Sequence, residues 1–178
     1  MSLQELRHQL DASDMMGRVI AFPDQMEVGW KIGAEFAHTL TPSRTPFERV
    51  IVAGMGGSAI GGDLAKSFLG DAAASPIVSC RDYSLPRNVA RGSLFIASSY
   101  SGNTAETLSA YDAARGNAVA MIAITSGGEL AARCQRDNVP CCLIPGGMPP
   151  RSKIALISSL TAIHALTAEK SFRHFKAA

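Results

Sequence analysis

The sequence predicts a three-layer α/β/α sandwich with a mostly parallel five-stranded sheet, preceded by N-terminal helices. Two patterns carry that expectation. From Arg49 onward, short and almost wholly apolar runs alternate with helical segments, and such runs suit strands buried on both faces of a parallel sheet. Polar and glycine-rich residues collect directly after those runs, at 54–62, 98–104 and 125–129. Those are the carboxyl ends of the strands, where open α/β sheets bind their ligands.

The elements follow in order. Asp11 and Ser13 can cap a helix running through Met15, Met16, Val19 and Ile20. Phe22-Pro23 breaks that pattern, and a second helix is expected from Asp24 to Leu40, with Met26, Trp30, Gly33-Ala34 and Ala37 recurring at three- and four-residue steps. The segment TPSRTP (41–46), with two prolines, is a connecting loop. RVIVAG (49–54) is the first strand, followed by a glycine-rich turn and a helix over Ala59 to Leu69. SPIVSC (75–80) is the second strand, and SLFIAS (93–98) the third, with a helix at 105–115 behind it. AVAMIAIT (118–125) is the fourth, followed by a short helix near Glu129–Arg136, and VPCCLIP (139–145) is the fifth. Ile154 to Glu169 returns to a helical pattern.

Composition excludes several classes. The 178 residues suffice for one domain with a real core, and 47% hydrophobic content, 18% charge and a net charge of +2 describe an ordinary globular chain. Scattered Lys and Arg form no basic stripe, so no nucleic-acid partner is expected. The N-terminus lacks a basic segment followed by an apolar one, so no signal peptide is evident. The longest apolar stretch, Ile154 to Leu166, is about 13 residues, short of the roughly 20 that span a bilayer, so no membrane partner is expected. Cys80, Cys134, Cys141 and Cys142 make no C-x-x-C pair and have no histidine at zinc-ligand spacing. They read as buried or idle thiols in a reducing cytoplasm, with no metal and no cofactor implied.

Two motifs carry chemistry. GMGGSAIGG (54–62) follows the first strand and opens a helix, and Gly54-x-Gly56-x-x-Ala59 fits the relaxed dinucleotide fingerprint. Asp82 would then be the acidic partner, although it lies 28 residues beyond Gly54, where about 20 is usual. The plainer alternative is that these glycines permit a tight turn and close helix–strand packing. SSYSGNT (98–104) weighs against the dinucleotide, because that fold has no need of a hydroxyl cluster after its third strand. Ser99, Ser101 and Thr104 can each donate an O–H, and the N–H groups of the following helix point the same way, an anion site that needs no lysine. Asn103 or Ser101 could alternatively serve as a simple N-cap, but a cap uses one side chain and the loop offers at least four. The G-K-[ST] of a P-loop is missing.

GMGGSAIGGD (54–63), SSYSGNT (98–104) and PGGMPPR (145–151) together resemble the bifunctional phosphoglucose/phosphomannose isomerases, sugar-isomerase (SIS) proteins with a flavodoxin-like fold. SDMMGRVIAFPDQMEVGW (13–30) is also similar to their helical lead-in, so the resemblance covers about residues 10 to 155. The resemblance implies an aldose–ketose isomerase that converts glucose 6-phosphate or mannose 6-phosphate to fructose 6-phosphate through an enediolate. It implies that Gly56, Gly57 and Ser58 line the sugar, that Ser99, Ser101 and Thr104 hold the phosphate, and that Arg151 stabilises charge on the enediolate oxygen, a sensible task for a fixed guanidinium. Read alone, Arg151 is equally a surface charge after a Pro-Pro turn. The resemblance also implies a homodimer and a cytoplasmic setting.

The departures bear on catalysis. Many relatives carry two acidic residues after the threonine, whereas this chain has Ala105 then Glu106, and Glu106 reads as a complement to the helix dipole rather than a base. His164, on an apolar helix, reads as a core or rim residue. The glutamate base, the histidine and the lysine that the family places in a second SIS domain have no match here. The expected organisation is a helical lead-in (1–46), an SIS domain (47–155) and a C-terminal helix (156–178), the last a truncated link to a second SIS domain. A fragment, a shifted reading frame and a one-domain relative all remain open, and so does a non-catalytic module that binds sugar phosphates.

Overall fold

The described part of the lead-in includes the helices α1 (Met15–Ile20) and α2 (Phe22–Thr39), in a computed structural model that describes residues 6, 9–40, 47–73, 75–86, 89, 92–117 and 120–146. Asp11 accepts the Met15 and Met16 N–H groups at 2.6 and 2.9 Å, and Asp14 accepts Gly17 N–H at 3.3 Å. Ser13, expected to share the capping, instead offers its carbonyl to Arg18 Nε at 2.9 Å. Pro23 stands in the first turn of α2 rather than outside it. An N–H is dispensable there, so the proline that ends one helix also begins the next.

The sheet has five strands: β1 (Arg49–Ala53), β2 (Ile77–Cys80), β3 (Ser93–Ser98), β4 (Ala120–Thr125) and β5 (Cys141–Leu143). Every neighbouring pair is parallel, and the order is β2-β1-β3-β4-β5. β2 begins after Pro76, which cannot donate to the ladder but whose carbonyl accepts Val50 N–H at 2.9 Å. Between the strands lie α3 (Gly56–Leu69), α4 (Ala105–Gly116) and α5 (Gly128–Asp137). α3 starts three residues before the expected Ala59, at Gly56, whose φ of +50° suits glycine, with Ser58 N–H bound to Met55 O at 3.0 Å.

Strand alternation divides the core into two layers. Val50, Val52, Leu94, Ile96, Ile122 and Ile124 face α2 and α3, meeting Trp30, Ile32, Phe36, Ala65 and Leu69. Ile51, Ala53, Phe95, Ala97 and Ala123 face the other way, against Ala110, Tyr111 and Ala114 of α4 and Leu130 and Cys134 of α5. The strands are apolar at almost every position because both faces are covered. Burial on both sides accounts for most of their stabilisation, roughly 25 cal/mol per Å² of apolar surface.

β1 and β3 are neighbours, yet their following helices go to opposite faces, α3 to one and α4 to the other. That is a topological switch point, and it opens a crevice at the carboxyl ends of β1 and β3. The sheet has the flavodoxin-like order 2-1-3-4-5 rather than the 3-2-1-4-5-6 of dinucleotide folds. Arg151 and the expected C-terminal helix lie outside the described residues, as does His164. Among the described residues, no helix is long and apolar enough to cross a membrane.

Candidate functional site

Two loops line the crevice at the switch point. The first, Gly54 to Ser58, leaves β1 and enters α3, and the second, Ser99 to Thr104, leaves β3 and enters α4. They touch at their bases, where a Cβ on Gly54 would stand 2.7 Å from the Ser98 carbonyl oxygen. Only glycine permits that approach. Gly56 and Gly57 form the first turn of α3, and Ser58 beside them is buried.

Within the second loop, Ser99 and Thr104 share a hydrogen bond between hydroxyls at 2.9 Å. Ser99 is buried and Thr104 partly open, so the pair presents Thr104 toward the crevice with Ser99 behind it. Ser101 is exposed, and its Oγ accepts Asn103 N–H at 3.2 Å. No side chain caps α4 at Thr104. Of the two residues that could have capped it, Ser101 closes its own turn, and Asn103 Oδ1 accepts Glu129 N–H at the start of α5 at 3.0 Å. The first-turn N–H groups of α4 therefore face the crevice with no side-chain cap over them, and its dipole favours an anion there.

The third polar loop, 125–129, braces the second. Ser126 donates both its backbone N–H (3.0 Å) and its Oγ–H (2.6 Å) to Tyr100 O. Leu130 N–H reaches Gly102 O at 2.9 Å, and Thr125 Oγ1 donates to Gly127 O at 2.8 Å. Farther back, Arg133 pairs with Glu129 at 2.8 Å and with Asp112 at 2.5 Å, joining α5 to α4. This bracing was not visible in the sequence beyond the bare fact that Gly127-Gly128 follows a strand.

The other expected residues sort as follows. Asp82 is exposed, and its carboxylate accepts the N–H of its own neighbour Tyr83 at 2.6 Å. Asp63 of the glycine motif accepts Ser79 Oγ–H at 2.5 Å and pairs with Arg81, which ties α3 to β2. The Ser79 hydrogen bond is the main reason its carboxyl is held below the usual range. Glu106 lies in the first turn of α4, in the neighbourhood of the Tyr83 phenol. The carboxylate's charge, above all, pushes that phenol's pKa up. Cys80, Cys134 and Cys142 are buried and Cys141 partly so, and none forms a disulfide.

No protein-family profile matches the chain. Among curated proteins, the bifunctional phosphoglucose/phosphomannose isomerase of Caldicellulosiruptor bescii is 39% identical over 140 residues, covering 79% of this chain and 41% of that protein. The enzyme of the same name from Thermoplasma acidophilum is 41% identical over 112 residues, covering 63% of this chain and 34% of its own length. The chain is related by sequence to the bifunctional phosphoglucose/phosphomannose isomerases. It spans about two fifths of the first of these isomerases and a third of the second. Solved structures show the same fold at lower identity. A protein of Thermus thermophilus aligns with a TM-score of 0.68 at 21% identity, over 94% of this chain and 44% of that one. The tagatose-6-phosphate ketose/aldose isomerase of Escherichia coli aligns with a TM-score of 0.56 at 18% identity, over 85% of this chain and 50% of its own.

Proposed function

We propose that this chain is the phosphate-binding half of an aldose–ketose isomerase acting on hexose 6-phosphates. The observation that carries the reading is the start of α4, which has no side-chain cap and is ringed by the hydroxyls of Ser101 and the Ser99–Thr104 pair. Donors and a helix dipole converge there on a space suited to a phosphate monoester. Ser101 and Thr104 meet the phosphate, and Ser99 orients Thr104. Gly56, Gly57 and Ser58 line the sugar from the facing loop, where missing side chains leave backbone N–H groups within reach.

The chemistry moves a proton between C1 and C2, leaving negative charge on the oxygen of an enediolate. Arg151 is proposed to stabilise that oxygen. The kinship with phosphoglucose/phosphomannose isomerases supports the reaction class, glucose or mannose 6-phosphate to fructose 6-phosphate. The domain division (1–46, 47–155, 156–178), a homodimer and a cytoplasmic setting belong to the same proposal, and sedimentation equilibrium checks the dimer.

The competing reading is a sugar-phosphate-binding module without catalysis. It is favoured by Glu106, the carboxylate nearest the phosphate loop in sequence, standing in the first turn of α4, where it complements the helix dipole. A coupled assay interconverting fructose, glucose and mannose 6-phosphates on this chain separates the two. For the binding site itself, Ser101→Ala should weaken fructose 6-phosphate about 5- to 10-fold and leave free fructose unchanged. Equal effects on both would remove the phosphate from this loop.

A further inference from the structure

The start of α3, which carries the glycine loop into the crevice, is poorly equipped to hold itself. Gly56, Gly57, Gly61 and Gly62 fall within its first seven residues, and glycine weakens a helix wherever it stands. No side chain caps α3 at Met55, and its first turn has no acidic residue, so neither common device secures that end. Gly56, Gly57 and Ser58 are nevertheless the first three residues of this helix, so their backbone depends on contacts made farther along.

Those contacts lie at Gly62 and Asp63. A Cβ on Gly62 would stand 2.9 Å from Val52 Cβ and 3.2 Å from Ser79 Oγ, so α3 presses directly on β1 and β2 there. Val52 and Ser79 are partners in the parallel register, one residue short of the strand ends at Ala53 and Cys80. Beside that close approach, Asp63 Oδ1 accepts Ser79 Oγ–H at 2.5 Å and Asp63 Oδ2 accepts from Arg81 Nη2. One carboxylate thus uses both oxygens to hold α3 to the carboxyl end of β2. Asp63 and Arg81 are each about half exposed, and ion pairs so open to solvent add little to global stability. What the pair does fix is the place of a helix start that cannot fix its own.

We propose that Asp63, Ser79 and Arg81 form a clamp that positions the glycine loop for the sugar. This rests on the phosphosugar reading above. All three are positioning residues, acting through the backbone of Gly56, Gly57 and Ser58. Ser101 and Thr104 belong to the other loop, which is braced separately by 125–129, so loosening the clamp disturbs the sugar contacts and spares the phosphate ones.

The test is calorimetric titration of the full chain with fructose 6-phosphate and, separately, with inorganic phosphate, with urea unfolding measured alongside. Asp63→Ala should weaken fructose 6-phosphate about 5- to 10-fold and leave inorganic phosphate within about 2-fold. Arg81→Ala, a change at an exposed side chain, should weaken fructose 6-phosphate in the same selective way. Arg81→Lys should restore the parent affinity, since one cationic nitrogen reaches Asp63 in the native pair. A trio that merely held the fold would shift both ligands together. Parallel losses, or unchanged fructose 6-phosphate binding in Asp63→Ala, would therefore overturn the clamp while leaving the phosphate site standing. A parent chain that binds neither ligand would overturn the phosphosugar reading, and the clamp's role with it.

Discussion

Gly102 is the position at which the site and the fold depend most directly on one atom. Its φ is +70°, and a Cβ built there would overlap Gly127 O and lie 3.0 Å from Thr125 Oγ1. Both neighbours belong to the bracing loop, and neither is the free end of a flexible side chain. In Gly102→Ala the left-handed backbone alone costs about 1–2 kcal/mol. Relieving the overlap requires the two loops to separate, which breaks the Leu130 N–H to Gly102 O bond (2.9 Å) and adds about 1 kcal/mol. The expected loss is about 3 kcal/mol, which for a chain of this length lowers Tm by about 6–12 °C. Gly116→Ala is the control, since its Cβ would meet nothing within 4 Å. At the end of α4 it should stabilise by about 0.4–1 kcal/mol. Urea unfolding measures both, and titration with fructose 6-phosphate should show binding weakened in Gly102→Ala only. If Gly102→Ala were as stable as the parent within about 0.5 kcal/mol, the two loops would not be coupled as described.

Two further predictions concern the core and its acid sensitivity. Phe95 is fully buried between Ile51 and Met121 in the sheet register, so Phe95→Ala should cost about 3–5 kcal/mol in urea unfolding. The Asp137 side chain, 2% exposed, accepts from Arg136 at 3.0 and 3.1 Å and from Tyr111 Oη at 3.1 Å, with Arg115 Nε at 3.3 Å. Those partners, Arg136 first, hold its carboxyl below the usual carboxylate range. A depressed folded-state value gives stability that is present above the unfolded carboxylate range and lost as pH falls through the folded value, below roughly pH 4. Asp137→Asn should therefore lose less Tm than the parent between about pH 7 and pH 3, and an equal loss would place the acid sensitivity elsewhere.

The sheet was legible in the sequence because burial on both faces leaves an unmistakable texture. Val50-Ile51-Val52 and Leu94-Phe95-Ile96-Ala97 are apolar throughout, and each proved a strand. Helix starts were less legible. Gly56-Gly57 looked like turn residues, since glycine is a poor helix former, yet α3 begins there, with Gly56 at a positive φ of 50° that glycine adopts freely. Pro23 misled for the converse reason, a helix breaker in the interior but a natural first-turn residue. The hydroxyl loop was recognisable by its composition. The partner that shapes it was not, because the Asn103–Glu129 and Ser126–Tyr100 bonds join residues 26 positions apart, and pairings of that kind leave no periodic trace.

Those long-range bonds also explain the density of polar residues in SSYSGNT. Tyr100 contributes its carbonyl to Ser126, Gly102 contributes a left-handed backbone and its carbonyl to Leu130, and Asn103 contributes its amide oxygen to Glu129. Those three fix the loop from behind, against 125–129. Ser99, Ser101 and Thr104 then act on a backbone already held, with Ser99 fixing the Thr104 hydroxyl at 2.9 Å. A loop ordered only by its ligand would lose conformational freedom on binding, about 1–2 kcal/mol for each residue fixed. On the proposed phosphate reading that cost is met during folding, which leaves the dipole and hydroxyls at the start of α4 to act on the anion alone. On that reading the loop's rigidity, as much as its donors, sets the affinity for a sugar phosphate.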